Sequence, residues 1–554
     1  MFFLLKKIKK ILKKKNKKYN IFYTKNKKYG DITIIIFTNK KKKKEIIKKI
    51  KLKLKKYIYK IINLNNNYIN IYLNNFFFIK LTKYLYKINL KKILYKKKRK
   101  EKKILVEYSS PNTNKPLHIG HLRNILIGDT LSNFLKRIGY KVKTTQIIND
   151  RGIHICKTIL IWKLLKKKPK KIKIKGDHFV GKLYYKFEEY LNKEKRKNNE
   201  SKILKLVNKE LIKWEKGEKK TLKIWLFLRE LVINGINNTY NKLNIKFDDV
   251  LYESKIYLLG KKIIKYGLKK KIFYKDKKGL IVFKYKKKKI ALLRGNKTSL
   301  YITQDLGTFF YRLNKYKKYN KFIYVVGIEQ KNYFNILFRI IDILKNKKIE
   351  KIHLSYNTVN ILGKKIKSRI KYKKKIIFID DFLKKINKII KKKFKFNISE
   401  ISLGAIKYYF LKKNPNKVIN FKFKEALNLQ GNSGIYIQYT FVRLYSILFK
   451  QKIKKIKKEK EYINILKENE IELLSFILDY PIIVNRILYN YDISILIKYI
   501  YILSKKINNF YENNIILKNK NKKKKNIRLI LCKIFIKILY YNMKILGIPI
   551  IKKI

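Results

Sequence analysis

The sequence predicts an α/β protein with a parallel β-sheet at its centre, an α+β domain before it and an all-α domain after it. Three observations carry this prediction. Residues 104–148 show a strand–loop–helix–strand pattern, short β-branched runs occur in the first part of the chain, and helical patterning extends from about residue 386 onward. We place the domain boundaries at residues 1–100, 101–385 and 386–554.

The length and composition exclude several classes of protein. At roughly 150 residues per domain, the 554 residues suggest about three or four domains. Apolar residues make up 46% of the chain, enough to bury a core, which excludes a wholly disordered basic tail. The two cysteines, Cys156 and Cys532, are too few for a disulfide scaffold or a cysteine-rich zinc module. We find no apolar run of 18 residues and no secretory signal, so we expect no spanning helix and a cytoplasmic location.

The basic charge is extreme but spread along the whole chain. There are 143 Lys and Arg residues against 35 Asp and Glu, a formal balance of +108, which attracts polyanions such as RNA. The lysines accompany many Ile, Asn and Tyr residues, whose codons can be nearly all A and T. A drift in base composition therefore explains most of the lysines as solvated surface residues. Short segments that contain Gly, His, Pro, Arg, Asp and Gln are more informative about function than the lysine-rich background.

The first part of the chain contains two strand-like segments. Residues 31–37 are rich in β-branched side chains, and residues 68–73 alternate in the manner of a strand. The charged stretch 92–103 is a plausible linker. Residues 155 to about 290 have a helical, lysine-rich pattern, and we expect helices there.

The strand–loop–helix–strand pattern begins with the buried-type strand 104–108. A turn-rich stretch follows, and apolar residues at three- and four-residue spacing predict a helix over about 119–138, which Gly139 ends. Residues 141–148 form the second strand. The two strands are expected to lie parallel, with a right-handed connection.

A short motif stands where the loop enters this helix. His118 and His121 are three residues apart, so they face one way on the first helical turn beside Gly120. A helix N-terminus attracts phosphate, two imidazoles can donate to a phosphoryl group, and glycine lets a flat nucleotide base approach the backbone. The motif alone is weak, because histidines at a helix start are often structural. We expect no metal here, since no third ligand with suitable spacing follows.

The residues around this motif are much more specific. Residues 106–123 read VEYSSPNTNKPLHIGHLR. This string resembles the signature of arginyl-tRNA synthetases, which are class I aminoacyl-tRNA synthetases. The HIGH tetrapeptide is shared across class I, whereas the preceding SSPN and KP are particular to the arginyl members. The resemblance implies a Rossmann-like catalytic core with a helical insertion, an N-terminal tRNA-binding α+β domain and a C-terminal all-α anticodon-binding domain.

The resemblance extends over most of the chain. Residues 299–305 (SLYITQD) and 324–330 (YVVGIEQ) are close matches, and residues 179–184 (FVGKLY) resemble a family segment within the core. Residues 431–439 resemble the start of the anticodon-binding domain, and 527–548 resemble its closing helix.

The resemblance also implies where arginine binds. A guanidinium group needs carboxylates in a planar, bidentate arrangement, and a site built in this way rejects lysine because its polar groups would stay unpaired. The implied residues are Asp305, Glu253 and Tyr301 for the guanidinium, and Asn112 and Gln330 for the α-amino end. Glu107 is expected to support the loop that follows its strand.

Some of these assignments have alternatives. Asp305 could instead cap a helix that follows it, and Glu253 could be a salt-bridge partner in the core. Many family members have Gln at the position of Glu329, which is next to Gln330. Either of the two residues could therefore contact the substrate.

The nucleotide site is implied to involve His118, Gly120 and His121 together with a mobile loop. Residues 365–369 (KIKSR) occupy the place of the class I loop that clamps the triphosphate, which implies phosphate contacts for Lys367 and Arg369. Serine replaces the second lysine of that loop. Lys115, just ahead of the histidines, is implied to supply the missing charge.

The implied function is ATP-dependent activation of L-arginine to arginyl-adenylate and transfer to the 3′-terminal ribose of its tRNA. The implied substrates and partners are arginine, ATP with Mg²⁺, and the tRNA for arginine, with no membrane partner and a monomeric state. The resemblance further implies that tRNA binds before arginine is activated. Tyr436 and Tyr439 are candidates to stack on the anticodon loop, or else belong to the core. The alternative function is that of a decayed synthetase that binds tRNA without charging it.

Overall fold

A computed structural model describes the chain except for a set of short gaps. These are residues 1, 14–18, 25–28, 65–66, 89–101, 166–171, 198–200, 287, 296–298, 346–348, 362–363, 366–376 and 554. The chain divides into two units. One comprises Met1–Tyr95, Phe394–Tyr408 and Leu427–Ile554, and the other comprises Lys96–Lys393 and Tyr409–Ala426.

The N-terminal part of the first unit is an antiparallel sheet with helices, as the α+β prediction required. Its strands, in the spatial order β1-β2-β4-β3, are β1 (Tyr19–Tyr23), β2 (Ile32–Ile36), β3 (Ile58–Asn63) and β4 (Tyr68–Leu73). The helices are α1 (Phe2–Lys13), α2 (Lys40–Leu54) and α3 (Asn75–Lys87). Both predicted strands are confirmed. Their core-facing side chains are isoleucines without solvent exposure: Ile32, Ile34, Ile36, Ile69 and Ile71.

The second unit is built on a parallel sheet with the strand order β12-β11-β5-β6-β7. Its strands are β5 (Lys103–Glu107), β6 (Lys141–Ile148), β7 (Asp249–Tyr252), β11 (Lys321–Gly327) and β12 (Glu350–Tyr356). The predicted strand–helix–strand unit is confirmed as β5, α4 (Ile119–Arg137) and β6. Gly139 follows α4 with φ +111°, a conformation that favours glycine. Because all strands run one way, their carboxyl ends share one edge, where ligands bind in sheets of this kind.

Helices cover the sheet and form the predicted insertion between β6 and β7. The insertion contains α5 (Ile153–Leu164), α6 (Gly176–Lys197), α7 (Lys202–Glu215) and α8 (Lys219–Leu243). The helices that follow are α9 (Glu253–Lys269), α10 (Tyr301–Lys315), α11 (Lys331–Leu344) and α12 (Ile379–Lys391).

The prediction of helices throughout residues 155–290 is wrong at its end. Besides β7, the structure has an antiparallel sheet with the strand order β10-β9-β8, formed by β8 (Tyr274–Lys275), β9 (Ile281–Tyr285) and β10 (Lys288–Leu293). The turn between β9 and β10 begins at Lys286, which has φ +53°. Glycine or asparagine would usually mark such a turn, and a lysine within a lysine run conceals it.

The C-terminal part of the chain is mainly helical, with one interruption. The short strands β13 (Val359–Ile361) and β14 (Lys364–Lys365) lead to α13 (Ile398–Leu411), after which β15 (Ile419–Phe421) pairs parallel to β13. The prediction of helix alone after residue 386 is therefore wrong at β15. The remaining helices are α14 (Phe423–Ala426), α15 (Gly434–Leu448), α16 (Glu468–Leu478), α17 (Tyr480–Asn490), α18 (Ser494–Glu512) and α19 (Lys522–Leu546).

The N-terminal helix α3 and the C-terminal helices pack together within the first unit. Lys83 in α3 forms an ion pair with Glu459 at 2.8 Å, and Lys537 in α19 donates to the carbonyl oxygen of Tyr86 at 2.6 Å. The two ends of the chain therefore build one body. Within the part of the chain that the structure describes, no helix is both long enough and apolar enough to cross a membrane.

Arg123 belongs to α4, which we call the histidine helix because His118 and His121 stand at its start. Its side chain connects this helix to the segments that lead into β13 and β15. Its side chain is fully buried and donates from Nη1 and Nη2 to five backbone carbonyl oxygens at 2.7–3.2 Å. These carbonyls belong to Asn357, Thr358, Asn414, Pro415 and Lys417. Burial lowers the pKa of Arg123 to about 10, so the side chain stays charged at neutral pH. A planar guanidinium has five N–H donors in a fixed fork and can serve five acceptors on two segments, whereas an ammonium group has only three donors.

We therefore expect the substitution Arg123→Lys to lower the free energy of unfolding by about 2–4 kcal/mol, because several buried carbonyls lose their donor. Urea denaturation followed by circular dichroism measures this change. The matched control is Arg339→Lys, which makes the same change on the exposed side of α11 and should cost less than about 0.5 kcal/mol. Equal stability of the two variants would show that Arg123 does not hold these segments together.

Candidate active site

A strained turn connects β5 to the histidine helix. Ser109 and Ser110 have φ values of +77° and +39°, which non-glycine residues rarely adopt. The backbone N–H of Ser109 donates to Oδ1 of Asn124 at 2.6 Å, and its hydroxyl is 2.6 Å from that of Tyr240. Asn124 in turn donates to the carbonyl oxygen of Val325 at 2.6 Å. Groups from α4, α8 and β11 thus hold the turn in its strained shape.

The hydrogen bonds of the two histidines define their protonation. Nδ1 of His118 accepts from the backbone N–H of Gly120 at 3.1 Å, and Nδ1 of His121 accepts from the backbone N–H of His118 at 3.0 Å. The two rings lie 3.8 Å apart. Because each Nδ1 is an acceptor, each neutral ring carries its proton on Nε2. The pair therefore offers two Nε2–H donors at the start of a helix.

The surroundings keep both rings neutral. Burial, with a smaller effect of the Lys115 charge, lowers the pKa of His118 to about 4. Burial and the neighbouring His118 hold the pKa of His121 well below its usual value. Burial also lowers the pKa of Lys115. At neutral pH the histidines are thus dipolar donors, and the charge at this end of the cavity comes from the lysine and the helix dipole.

Two glycines permit close contacts around this turn. A Cβ atom on Gly120 would lie 2.9 Å from Cε1 of His118, so only glycine lets that ring fold back over the helix start. A Cβ atom on Gly181, in the insertion helix α6, would lie 2.8 Å from Cδ of Pro116. The FVGKLY segment therefore packs its glycine directly against the loop that precedes the histidines.

The backbone of the histidine turn pairs with the start of α12. Ile119 donates to the carbonyl oxygen of Ile377 at 3.2 Å, and Ile379 donates to that of Leu117 at 2.9 Å. Lys367 and Arg369 lie just upstream, outside the described residues. The chain that follows the predicted mobile loop is thus anchored at the histidines.

A cavity of about 380 Å³ opens beside the histidines and reaches α10 and α11. Most of the predicted site residues line it: Asn112, Lys115, His118, Gly120, His121, Tyr301, Asp305 and Gln330. Both Glu329, which is exposed, and Gln330, which is half-buried, face the cavity, together with Glu107. Glu253 is not among the lining residues.

The far end of the cavity is acidic. Asp305 is the fifth residue of α10, so the alternative that it caps a following helix is wrong. Tyr301 begins that helix, and the two side chains face the same cavity, as their four-residue spacing predicts. The hydroxyl of Tyr333, in α11, donates to Oδ2 of Asp305. Burial raises the pKa of Asp305 to about 7, and the Tyr333 hydroxyl opposes that shift.

Glu253 lies behind this acidic end. It begins α9, is 7% exposed, and feels the charges of Arg151, Asp150 and Asp305. Burial raises the pKa of Glu253 to about 8, so its carboxyl is mostly protonated at neutral pH.

An ion pair between a fully buried arginine and a half-buried glutamate joins the two ends of the cavity. Arg312, in α10, has no solvent exposure and donates from Nη1 to Oε2 of Glu107, the last residue of β5. Burial alone would lower the pKa of Arg312, but its interactions with Glu107 and Tyr324 together outweigh burial and raise that pKa. Glu107 thus links the strand before the histidines to the helix that carries Asp305.

A second cluster resembles a metal site by composition. Asp177, His178 and Asp380 place one ligand atom each within 4.8 Å of the others. However, the ammonium group of Lys175 lies 2.6 Å from Asp380 and 3.1 Å from Asp177, where a cation would sit. Although burial opposes it, hydrogen bonds from His178 and Lys175 hold the pKa of Asp380 well below its usual value. The cluster anchors the start of α12 on the insertion.

The C-terminal helices carry a separate groove of about 920 Å³. Tyr436 and Tyr439 are half-buried and line it, so neither is a core residue. The guanidinium of Arg443 lies 4.9 Å from the ring centre of Tyr439 and 4.6 Å from that of Tyr511. The groove thus combines aromatic faces with positive charge.

Comparison with known proteins identifies the family. Residues 84–424 match the family model of the class I (R) tRNA synthetase catalytic domain, and residues 437–554 match the DALR anticodon binding domain. An arginine–tRNA ligase of Borrelia turicatae is 37% identical over 560 residues, covering 95% of this chain and 92% of that protein. One of Parabacteroides distasonis is 35% identical, covering 81% and 80%.

The chain belongs to the arginyl-tRNA synthetase family. Solved structures agree on the fold. Arginyl-tRNA synthetase from Thermus thermophilus superposes with a TM-score of 0.81 at 21% identity over 99% of this chain and 98% of that one. The enzyme from Plasmodium falciparum gives 0.77 at 23% identity, covering 99% of each. The Rossmann-like core and the C-terminal helical domain expected for the family are confirmed.

The structure adds residues that the sequence motifs of the family did not reveal. Arg312 and Tyr333 each hold a carboxylate at the cavity, and Asn124 holds the strained turn. Arg312 had a recognisable signal, since arginine is rare in this lysine-rich chain. Tyr333 had none, because it is one of 43 tyrosines.

Proposed function

We propose that this chain attaches L-arginine to its tRNA in two steps, through an arginyl-adenylate. The observation that carries the proposal is that the histidine pair and the acidic end open into one cavity. A phosphate-binding turn and a guanidinium-sized acidic pocket are then close enough to serve the two halves of one adenylate. Arginine–tRNA ligases also need the arginine and the nucleotide to bind next to each other.

In the first step, the carboxylate oxygen of arginine attacks the α-phosphorus of ATP and pyrophosphate leaves from the opposite side. His118 and His121 donate their Nε2–H groups to phosphate oxygens, and Lys115 neutralises charge beside them. Lys367 and Arg369 contribute further positive charge to the triphosphate. The chain mainly positions the reactants and stabilises the charge that develops.

Arginine lies with its guanidinium toward the acidic end. Asp305 accepts two hydrogen bonds from the guanidinium, and Tyr301 adds its hydroxyl. Glu253 lies behind them and ionises when the positive charge arrives, since a nearby cation favours the charged form of a carboxyl. Asn112 and Gln330 hold the α-amino end.

Mg²⁺ would be bound together with the nucleotide. In the described residues, the carboxylates that line the cavity are Glu107, Asp305 and Glu329, and the first two already bond Arg312 and Tyr333. Because few carboxylates are left to bind a metal ion, the cavity suits a cation whose ligands are mainly phosphate oxygens and water. Mg²⁺ has this preference. When bound, the ion would neutralise charge on the phosphates.

In the second step, a hydroxyl of the terminal ribose of tRNA attacks the arginyl carbonyl carbon, and AMP leaves. The groove on the C-terminal helices is suited to a nucleotide of the anticodon loop. Tyr436 and Tyr439 provide faces for base stacking, and Arg443 provides charge.

The direct test is a charging assay with labelled arginine, ATP and a transcript of the arginine tRNA. We expect labelled aminoacyl-tRNA to accumulate, and arginine-dependent pyrophosphate exchange to require the tRNA. Lysine at the same concentration should give a rate lower by about 100-fold or more, because it leaves the acidic groups unpaired. Tight tRNA binding without charging would instead identify a tRNA-binding protein.

The substitution Asp305→Ala should abolish arginine use selectively. We expect kcat/KM for arginine to fall by about 100-fold or more, since charge-assisted bonds to the guanidinium are lost, while ATP binding is largely retained. The charging assay and ATP titration measure the two effects.

The matched control is Asp342→Ala, which removes an exposed aspartate of α11 that pairs with Lys351. It should leave kcat/KM for arginine within about twofold. Unchanged arginine kinetics in Asp305→Ala would show that the pocket is assigned wrongly.

A further inference from the structure

Tyr333 lies between the acidic end of the cavity and the apolar core. It is in the first turn of α11, three residues after Gln330, and its hydroxyl donates to Oδ2 of Asp305. Its ring lies 5.3 Å from that of Tyr301 and 5.6 Å from that of Phe334, nearly perpendicular to the latter. The ring is thus held on both sides, which fixes the position of the hydroxyl.

The protonation state of Tyr333 determines the direction of this hydrogen bond. Burial and the Asp305 charge hold the pKa of Tyr333 well above its usual value, so the phenol stays protonated. A protonated hydroxyl that faces a carboxylate must be the donor. Donation to the charged form of a carboxyl favours that form.

The bond also limits how the Asp305 carboxylate can be oriented. Tyr333 reaches Oδ2 from α11, while the Asp305 side chain belongs to α10 and faces the cavity. With one lone pair of Oδ2 occupied from the α11 side, Oδ1 and the second lone pair of Oδ2 are left for the two guanidinium N–H groups. Rotation of the carboxylate would break the bond to Tyr333, so its plane is fixed before any ligand arrives.

We propose that Tyr333 is a positioning residue for arginine recognition, whose hydrogen bond orients the Asp305 carboxylate for the incoming guanidinium. The inference rests on the proposed function. It assigns to Tyr333 a part of the affinity for arginine but no contact with ATP or with the reacting atoms.

Several other charged and titratable groups face Asp305 and also influence its pKa. They are Glu107, Glu253, Arg312, Tyr301 and Tyr324. Burial and, to a smaller extent, the Glu107 charge raise the pKa of Asp305, whereas the Tyr333 hydroxyl and Arg312 lower it, and the net pKa is about 7. Arginine recognition needs the ionised carboxylate, so it should be strong above this pKa and weaken as the pH falls through it. Removal of the hydroxyl should move that loss to higher pH.

The test is Tyr333→Phe, which removes the hydroxyl and keeps the ring between its neighbours. At pH 7 we expect kcat/KM for arginine to fall about tenfold, through KM, with kcat and KM for ATP within about twofold of the parent values. The acid limb of the pH profile of kcat/KM for arginine should shift upward, so that the defect shrinks by pH 8.5.

The matched control is Tyr316→Phe. The Tyr316 hydroxyl donates to Asp249 at 2.7 Å, so the same chemical change is made at an aspartate that does not line the cavity. It should leave both KM values and the pH profile unchanged.

Two results would overturn the proposal. One is an unchanged KM for arginine and an unchanged pH profile in Tyr333→Phe. The other is an equal loss for arginine and ATP with a lowered melting temperature, which would make Tyr333 a packing residue. Failure of the unmodified chain to charge tRNA would instead refute the proposed function, so the two failures are distinct.

Discussion

The ion pair between Glu107 and the fully buried Arg312 connects the two halves of the site on which the proposed chemistry depends. Glu107 is the last residue of β5, the strand that leads into the strained turn and the histidine helix, and Arg312 lies in α10 below Asp305. The turn follows β5 at the carboxyl edge of the parallel sheet. The helix α10 leads into the neighbouring strand β11, so the start of α10 lies at the same edge. A pair of this kind adds little net stability. Loss of one partner, however, typically costs about 3–5 kcal/mol, so the pair strongly constrains geometry.

The arginines show how structure selects residues against a strong compositional bias. Lysine fills most cationic positions, yet the largest fully buried side chains include Arg123, Arg312 and Arg528. Each makes several directed bonds. Arg528, for example, donates to Glu470 at 2.8 Å, to the carbonyl oxygen of Ile515 at 2.6 Å and to an Asn514 side chain. One ammonium group cannot satisfy acceptors spread in this way, so lysine is excluded where guanidinium geometry is needed.

The sequence predicted the parts of the fold that local patterns encode. Apolar periodicity located β5, α4 and β6, and the segment around His118 located the phosphate-facing turn. The strands β8 to β10 were missed, because a lysine run concealed their turn and left only short alternating stretches.

The partners of the site residues could not be predicted from the sequence. Tyr333 and Arg312 meet Asp305 and Glu107 only after folding, and no spacing rule brings these pairs together. Glu253 was expected in the pocket, but its position behind Asp305 depends on how α9 packs against α10, which sequence spacing does not determine. In contrast, the four-residue spacing of Tyr301 and Asp305 was informative because both belong to one helix.

The most direct measurement is the binding of a single molecule that spans both halves of the cavity. Arginine joined to adenosine through a non-hydrolysable sulfamate resembles the adenylate, and calorimetric titration in the presence of tRNA gives its Kd. The account predicts that it binds about 100-fold or more tighter than arginine alone, and that the lysine counterpart loses most of this gain. Binding no tighter than that of arginine would contradict the claim that the histidine turn and the acidic pocket form one site.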